Sequence, residues 1–110
     1  MTVQHRALAE GRWRQLSFVE QMANIGSEVE RFLNWREKSQ PEYSAKAFWR
    51  ALELIDLTLD ANRQRGRLRE VARVREALVD LFEGTRTFDL SADSWRKYFL
   101  AFACAARRDR

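Results

Sequence analysis

The chain has 110 residues, 45% of them hydrophobic and 33% charged, with four Gly, one Pro, one Cys and one His. That length suits a single domain, and so few breakers exclude a β-sandwich or barrel, which would turn about every 8 to 12 residues. The net charge is +4, and no apolar run reaches the roughly 18 residues of a membrane-spanning helix.

Residues 1–12 show no strong period and are expected to form an arm, leaving residues 13–110 as one domain. The N-terminus lacks the charged start, apolar run and small-residue cleavage site of a secretory signal. From Trp13 to Lys38, Phe18, Met22, Ile25, Val29 and Phe32 recur at three- and four-residue steps, with Val19 and Leu33 beside them. That spacing predicts an amphipathic helix. Ser17 followed by Glu20 fits a capping box, which would start the helix there. Gly26 inside it costs about 1 kcal/mol relative to Ala, a cost that a close approach by a neighbouring helix would explain.

Ser39-Gln40-Pro41 breaks the pattern, and Pro41 suits a first helical position. A second helix is predicted to about Leu59. Its C-terminal half is apolar on nearly every side, so it should be the most buried helix or be covered by another subunit. Asn62 to Gly66 reads as the next break. Leu68, Val71, Val74, Leu78 and Leu81, with Phe82, then give a third helix, and Gly84 is placed to end it in the left-handed conformation. After a loop carrying Phe88, Ser91 can cap a fourth helix with Asp93 near its positive end. Trp95, Tyr98, Phe99, Phe102 and Ala106 line one side, and Arg107, Arg108 and Arg110 close the chain. Four such helices with short connections predict an all-α fold, an antiparallel up-and-down four-helix bundle.

Little in this chain suits catalysis. The one histidine, His5, falls in the arm, and Cys104 lies among alanines, where it reads as a small core residue. A zinc site of His and Cys lacks ligands, the Glu-x-x-His pairs of di-metal bundles are missing, and no Gly-rich phosphate loop exists. Glu28 and Glu30 read as solvated or ion-paired groups, and Asp56, amid apolar neighbours, as buried and paired with an Arg. The expectation is a protein that is not an enzyme, without cofactor, metal or evident small-molecule substrate. A lone cysteine suits the reducing cytoplasm.

Surfaces remain. Four tryptophans, Trp13, Trp35, Trp49 and Trp95, fall at helix ends or beside the main stripes. They are candidates for an oligomer interface, with edge packing as the plainer account. Residues 61–110 hold twelve of the 20 basic residues. Arg63, Arg65, Arg67, Arg69, Arg73 and Arg75 form a candidate nucleic-acid-facing row, although Glu70 and Glu76 dilute it and a solvated helix face is the competing reading. A structural protein that meets only its own copies and a protein partner is the alternative function.

Three strings carry a resemblance: Met22-Ala23-Asn24-Ile25-Gly26-Ser27-Glu28-Val29-Glu30-Arg31, then Arg50-Ala51-Leu52-Glu53-Leu54-Ile55-Asp56-Leu57-Thr58, then Arg96-Lys97-Tyr98-Phe99-Leu100 with Ala105-Ala106-Arg107. Over residues 13–110 the chain resembles a family of small, uncharacterised bacterial cytosolic proteins. That family is distantly similar in architecture to proteins encoded in ribosomal RNA intervening sequences and to the accessory variability determinant of diversity-generating retroelements. The resemblance implies a four-helix bundle assembled as a five-membered ring and, more remotely, binding to nucleic acid or nucleoprotein.

Overall fold

A computed structural model describes residues 11–85 and 90–108. Among these there is no strand. A helical segment over 11–15 is followed by four long helices: α1 (Phe18–Glu37), α2 (Pro41–Ala61), α3 (Arg65–Glu83) and α4 (Ala92–Arg108). The chain is all-helical. Of the arm expected over 1–12, residues 11 and 12 are helical and the rest lie outside the described residues, as do Phe88 and Arg110.

The local signals act where they were read. The Ser17 hydroxyl accepts from the Glu20 N–H at 3.1 Å, and the Glu20 carboxylate accepts from the Ser17 N–H at 3.0 Å. Both satisfy donors that a helix start otherwise strands. Pro41 opens α2, and Ser91 caps α4 by accepting from the Ser94 N–H at 3.1 Å. Gly84 ends α3 at φ 76°, a conformation that costs a residue with a Cβ about 1–2 kcal/mol. One boundary moves: α3 begins at Arg65 because the Leu68 N–H already reaches the Gln64 carbonyl at 3.0 Å, so Gly66 lies inside the helix and not in the break.

Helix α1 packs on both α2 and α4, while α3 packs on α2. Successive helices run antiparallel. The Ser44 hydroxyl near the start of α2 donates to the Phe32 carbonyl late in α1, and the Asn62 amide just past α2 donates to Gln21 early in α1. Arg96, at the start of α4, donates to Glu30 and Asn34 and pairs with Glu37 toward the end of α1. The core between them holds Met22, Ile25, Phe32, Phe48, Ile55, Leu57 and Leu78, all fully buried. Each contributes about 1.5–3 kcal/mol on leaving water.

Gly26 sits at a close approach of α1 and α4. A Cβ built on it would lie 2.7 Å from the Phe99 Cβ, so the glycine sets the distance between the two helices. Helix α4 departs from expectation at Cys104, which is exposed. The buried stripe of α4 is Trp95, Phe99 and Ala106. Cys104 lies five residues past Phe99, about 140° around the helix, which turns it to solvent.

Candidate nucleic-acid interface

The six arginines of the predicted row do not act alike. Arg75 donates to Asp56 at 2.9 Å, with the two side chains 41% and 37% exposed. Asp56 is therefore paired as expected but not buried. The Arg67 guanidinium lies over the Phe18 ring, 5.0 Å from its centroid, a cation–π contact made on an exposed side. Arg63, Arg65, Arg69 and Arg73 are exposed, and among the described residues none of them meets a carboxylate. Arg65, Arg69 and Arg73 stand one turn apart on a single face.

The fold adds arginines that a reading along the chain keeps apart. Helices α1 and α3 begin, and α2 and α4 end, at the same end of the molecule. The Arg67–Phe18 contact and the Phe18–Phe102 edge contact, centroids 6.2 Å apart, tie three of them there. Within one helical turn of this end, together with residues 11–15 and the connection after α2, stand Arg12, Arg14, Arg63, Arg65, Arg67, Arg107 and Arg108. Among the described residues only Glu20 and Asp60 are acidic in that zone. The opposite end, counted the same way among the described residues, holds Arg36 and Lys38 against Glu37, Glu42, Asp80, Glu83 and Asp93. The charge is thus polarised along the helices, a summed field that no pairwise contact reveals.

Residues 11–15 reach the basic end because Trp13 is anchored. Its indole N–H donates to the Thr58 hydroxyl at 2.9 Å, the Gln21 amide donates to the Trp13 carbonyl at 3.0 Å, and the Asn62 amide donates to Gln21 at 3.0 Å. Thr58 donates in turn to the Leu54 carbonyl at 2.7 Å. Trp13, Gln21, Thr58 and Asn62 are all buried, so each bond replaces one to water that burial removes. This network covers part of the apolar C-terminal half of α2 from within the chain. It also fixes Arg12 and Arg14, on either side of Trp13, in place.

The four candidate interface tryptophans separate accordingly. Trp13 and Trp95 are 7% and 4% exposed, so neither ring is available to another molecule, a correction to the expectation. Their lengths span the core edge, and Trp13 also has a polar partner inside. Trp35 is half-buried, stacked on Tyr43 at 4.8 Å with the Lys38 ammonium over it. Trp49 is 55% exposed and lies edge-on to Phe82, itself exposed and stacked on Phe48 at 3.9 Å. An exposed aromatic patch of Trp49 and Phe82 therefore lies away from the basic end, on the first half of α2 and the last turn of α3, and Tyr43, also exposed, packs on Trp35.

Between α3 and α4 runs a groove of about 680 Å³, floored by Val74, Ala77, Trp95 and Tyr98 with Arg69 and Arg73 among its polar lining. Tyr98 bridges it, donating to the Glu70 carboxylate at 2.8 Å. Burial first, then that hydrogen bond and the carboxylate charge, push the phenol well above the usual tyrosine range. Among the described residues no cluster of three or more His, Cys, Asp or Glu could hold a metal ion, and no helix is long and apolar enough to cross a membrane. Comparison of the chain with protein-family models, curated proteins and solved structures gives no match.

Proposed function

We propose that the chain is a non-enzymatic, cytoplasmic four-helix-bundle protein that binds nucleic acid through its arginine-bearing surface, with Arg63 just before α3 and Arg65, Arg69 and Arg73 on it. One observation carries this reading. These four guanidinium groups are exposed and unpaired among the described residues, while nearby carboxylates are engaged elsewhere, Glu70 by Tyr98 and Asp56 by Arg75. Free guanidinium groups suit phosphate, which they can grip with two parallel N–H bonds. These four contacts alone would make affinity for duplex RNA fall about a hundredfold between 50 and 200 mM salt, through counterion release. Replacing Arg69 and Arg73 together by Glu should weaken binding and flatten that dependence. Binding that survives the double change unaltered removes α3 from the interface.

A second reading draws on the aromatic patch. Tyr43, Trp49 and Phe82 are the exposed aromatic residues among those described, and large exposed rings are typical interface anchors. They support self-association, for which the resemblance implies a five-membered ring. Light scattering on the purified protein tests this: a Trp49→Asp variant should lower the assembly mass. An unchanged mass for that variant, or a lone chain in the unmodified protein, rejects this patch.

A further inference from the structure

We infer that the contact is made by the basic end of the molecule, with residues 11–15 as part of it, and that its partner is the phosphate backbone of a double helix. The inference rests on the nucleic-acid reading above and narrows it to a place and a form of ligand. Six exposed arginines from three separate stretches of chain meet there: Arg12, Arg14, Arg63, Arg65, Arg107 and Arg108. Among the described residues none of the six pairs with a carboxylate. Their convergence is a product of the antiparallel fold, which brings together two helix starts, two helix ends and the docked segment.

The placement is rigid where it matters. Arg12 and Arg14 flank a tryptophan that is 7% exposed and tied to Thr58 at 2.9 Å. Their backbone is therefore ordered before any ligand arrives, and binding need not offset the entropy of ordering a free arm. The molecule measures 35 × 30 × 26 Å overall. A duplex carries one charge per about 1.7 Å of axis, so the length spanned by a face some 26 Å wide carries on the order of 15 phosphate charges, a part of them on the side turned to the protein. Six arginines spread over that face can engage several of them at once.

The same geometry disfavours a single strand. Proteins that hold single strands combine a basic track with exposed aromatic rings on which the bases stack. Here the exposed aromatics lie elsewhere. Trp49 is twelve residues from the end of α2, about 18 Å along the helix, and Tyr43 and Phe82 lie nearer still to the other end. Phe18, at the basic end, is half-buried and covered by Arg67. A double helix needs no stacking platform, because its phosphates are already displayed on a stiff frame.

Fluorescence anisotropy of the full chain with a duplex of roughly 20 base pairs and its separated strand, each over a range of salt, tests the inference. The duplex should bind at least about tenfold tighter at equal salt, with a slope of log affinity on log salt of about −5 for six phosphates. The variant Arg12→Gln, Arg14→Gln, Arg107→Gln, Arg108→Gln should lose more than about tenfold in duplex affinity and leave a slope of about −2. Its thermal melt should match the unmodified chain, since all four side chains are exposed. Equal or tighter binding of the single strand overturns the duplex assignment. Duplex binding untouched by the fourfold change but abolished by Arg69→Gln with Arg73→Gln overturns the placement and spares the nucleic-acid reading. Failure of the unmodified chain to bind either probe overturns both. Salt-sensitive self-association in that case would assign the basic end to the acidic end of a second copy.

Discussion

Replacing Gly26 by Ala sets helix propensity against packing, and the structure decides which wins. In an open helix the change gains about 1 kcal/mol, because Gly gives up more backbone freedom than Ala. At position 26 the new Cβ would stand 2.7 Å from the Phe99 Cβ and 2.9 Å from two further carbons of the same side chain. Carbon atoms in contact prefer about 3.5–4.0 Å, so α1 and α4 must separate by about 1 Å. The nearest atom is a Cβ, which no rotamer change can move, and the adjustment must come from the backbone. Overpacking of this kind costs about 1–3 kcal/mol, of which the propensity gain offsets about 1 kcal/mol. The expected net loss is up to about 2 kcal/mol, or a melting temperature lower by up to about 8 °C for a chain of this size. Gly66 supplies the control, being in the first turn of α3 with nothing within 4 Å of a built Cβ. Gly66→Ala should be neutral or stabilising by about 0.5 kcal/mol. Chemical denaturation of the two variants measures both. A Gly26→Ala protein more stable than the parent, by the amount an open helix would give, refutes the close α1–α4 contact.

Three further perturbations test other parts of the structure. Trp13→Phe keeps an aromatic ring but deletes the N–H bonded to Thr58. It should cost about 1–2 kcal/mol in urea unfolding, and a double-mutant cycle with Thr58→Val should return a coupling near 1 kcal/mol, against zero if the bond is absent. Asp56→Asn breaks the pair with Arg75, both partners being more than a third exposed. The loss should stay below about 1 kcal/mol and shrink with added salt, and a larger loss would place the pair in a drier setting than its exposure indicates. The raised affinity of Tyr98 for its proton gives a pH signature. The folded chain holds that proton more tightly than the unfolded one, so its contribution is complete below the ordinary tyrosine range and is lost as pH rises through and above it. Denaturation curves between about pH 9 and pH 11.5 should fall less steeply for Tyr98→Phe than for the parent, and identical curves would dissociate Tyr98 from Glu70.

What was legible in advance was local. Ser17, Pro41, Gly84 and Ser91 each act within four residues of themselves, through a cap, a fixed φ or a left-handed turn, so their neighbours suffice to identify them. The stripe from Met22 to Phe32 is legible for a similar reason: period alone says which face of a helix turns inward. Trp13 shows the limit. Its partner Thr58 lies 45 residues away, and nothing near Trp13 distinguishes a ring that seeks another subunit from one that seeks a hydroxyl. A faint signal existed on the other side, since Thr58 and Asn62 place polar groups one turn apart at the end of an otherwise apolar helix. Two polar side chains there need partners, and a tryptophan N–H is one of the few that brings its own apolar cover. Cys104 failed for the opposite reason: small neighbours suggested a core, while its angle from Phe99 was already given by the helix period.

The same distinction explains why the row on α3 was visible and the basic end was not. Arginines four apart on one helix declare themselves in any window of the chain. Arg12, Arg65 and Arg108 fall in three different windows and become neighbours only when α1 is antiparallel to α2 and to α4. A helical fold with an even number of long antiparallel elements brings both chain ends to the same end, so charge placed near the termini is added to charge placed at the second connection. The net charge of +4 understates such a surface, because five of the acids, Glu37, Glu42, Asp80, Glu83 and Asp93, stand at the opposite end, about 25–30 Å away along helices of 17–21 residues. At a Debye length of about 8 Å in physiological salt that distance is several screening lengths. A polyanion at the basic end therefore meets the local excess of arginine and not the average of the chain.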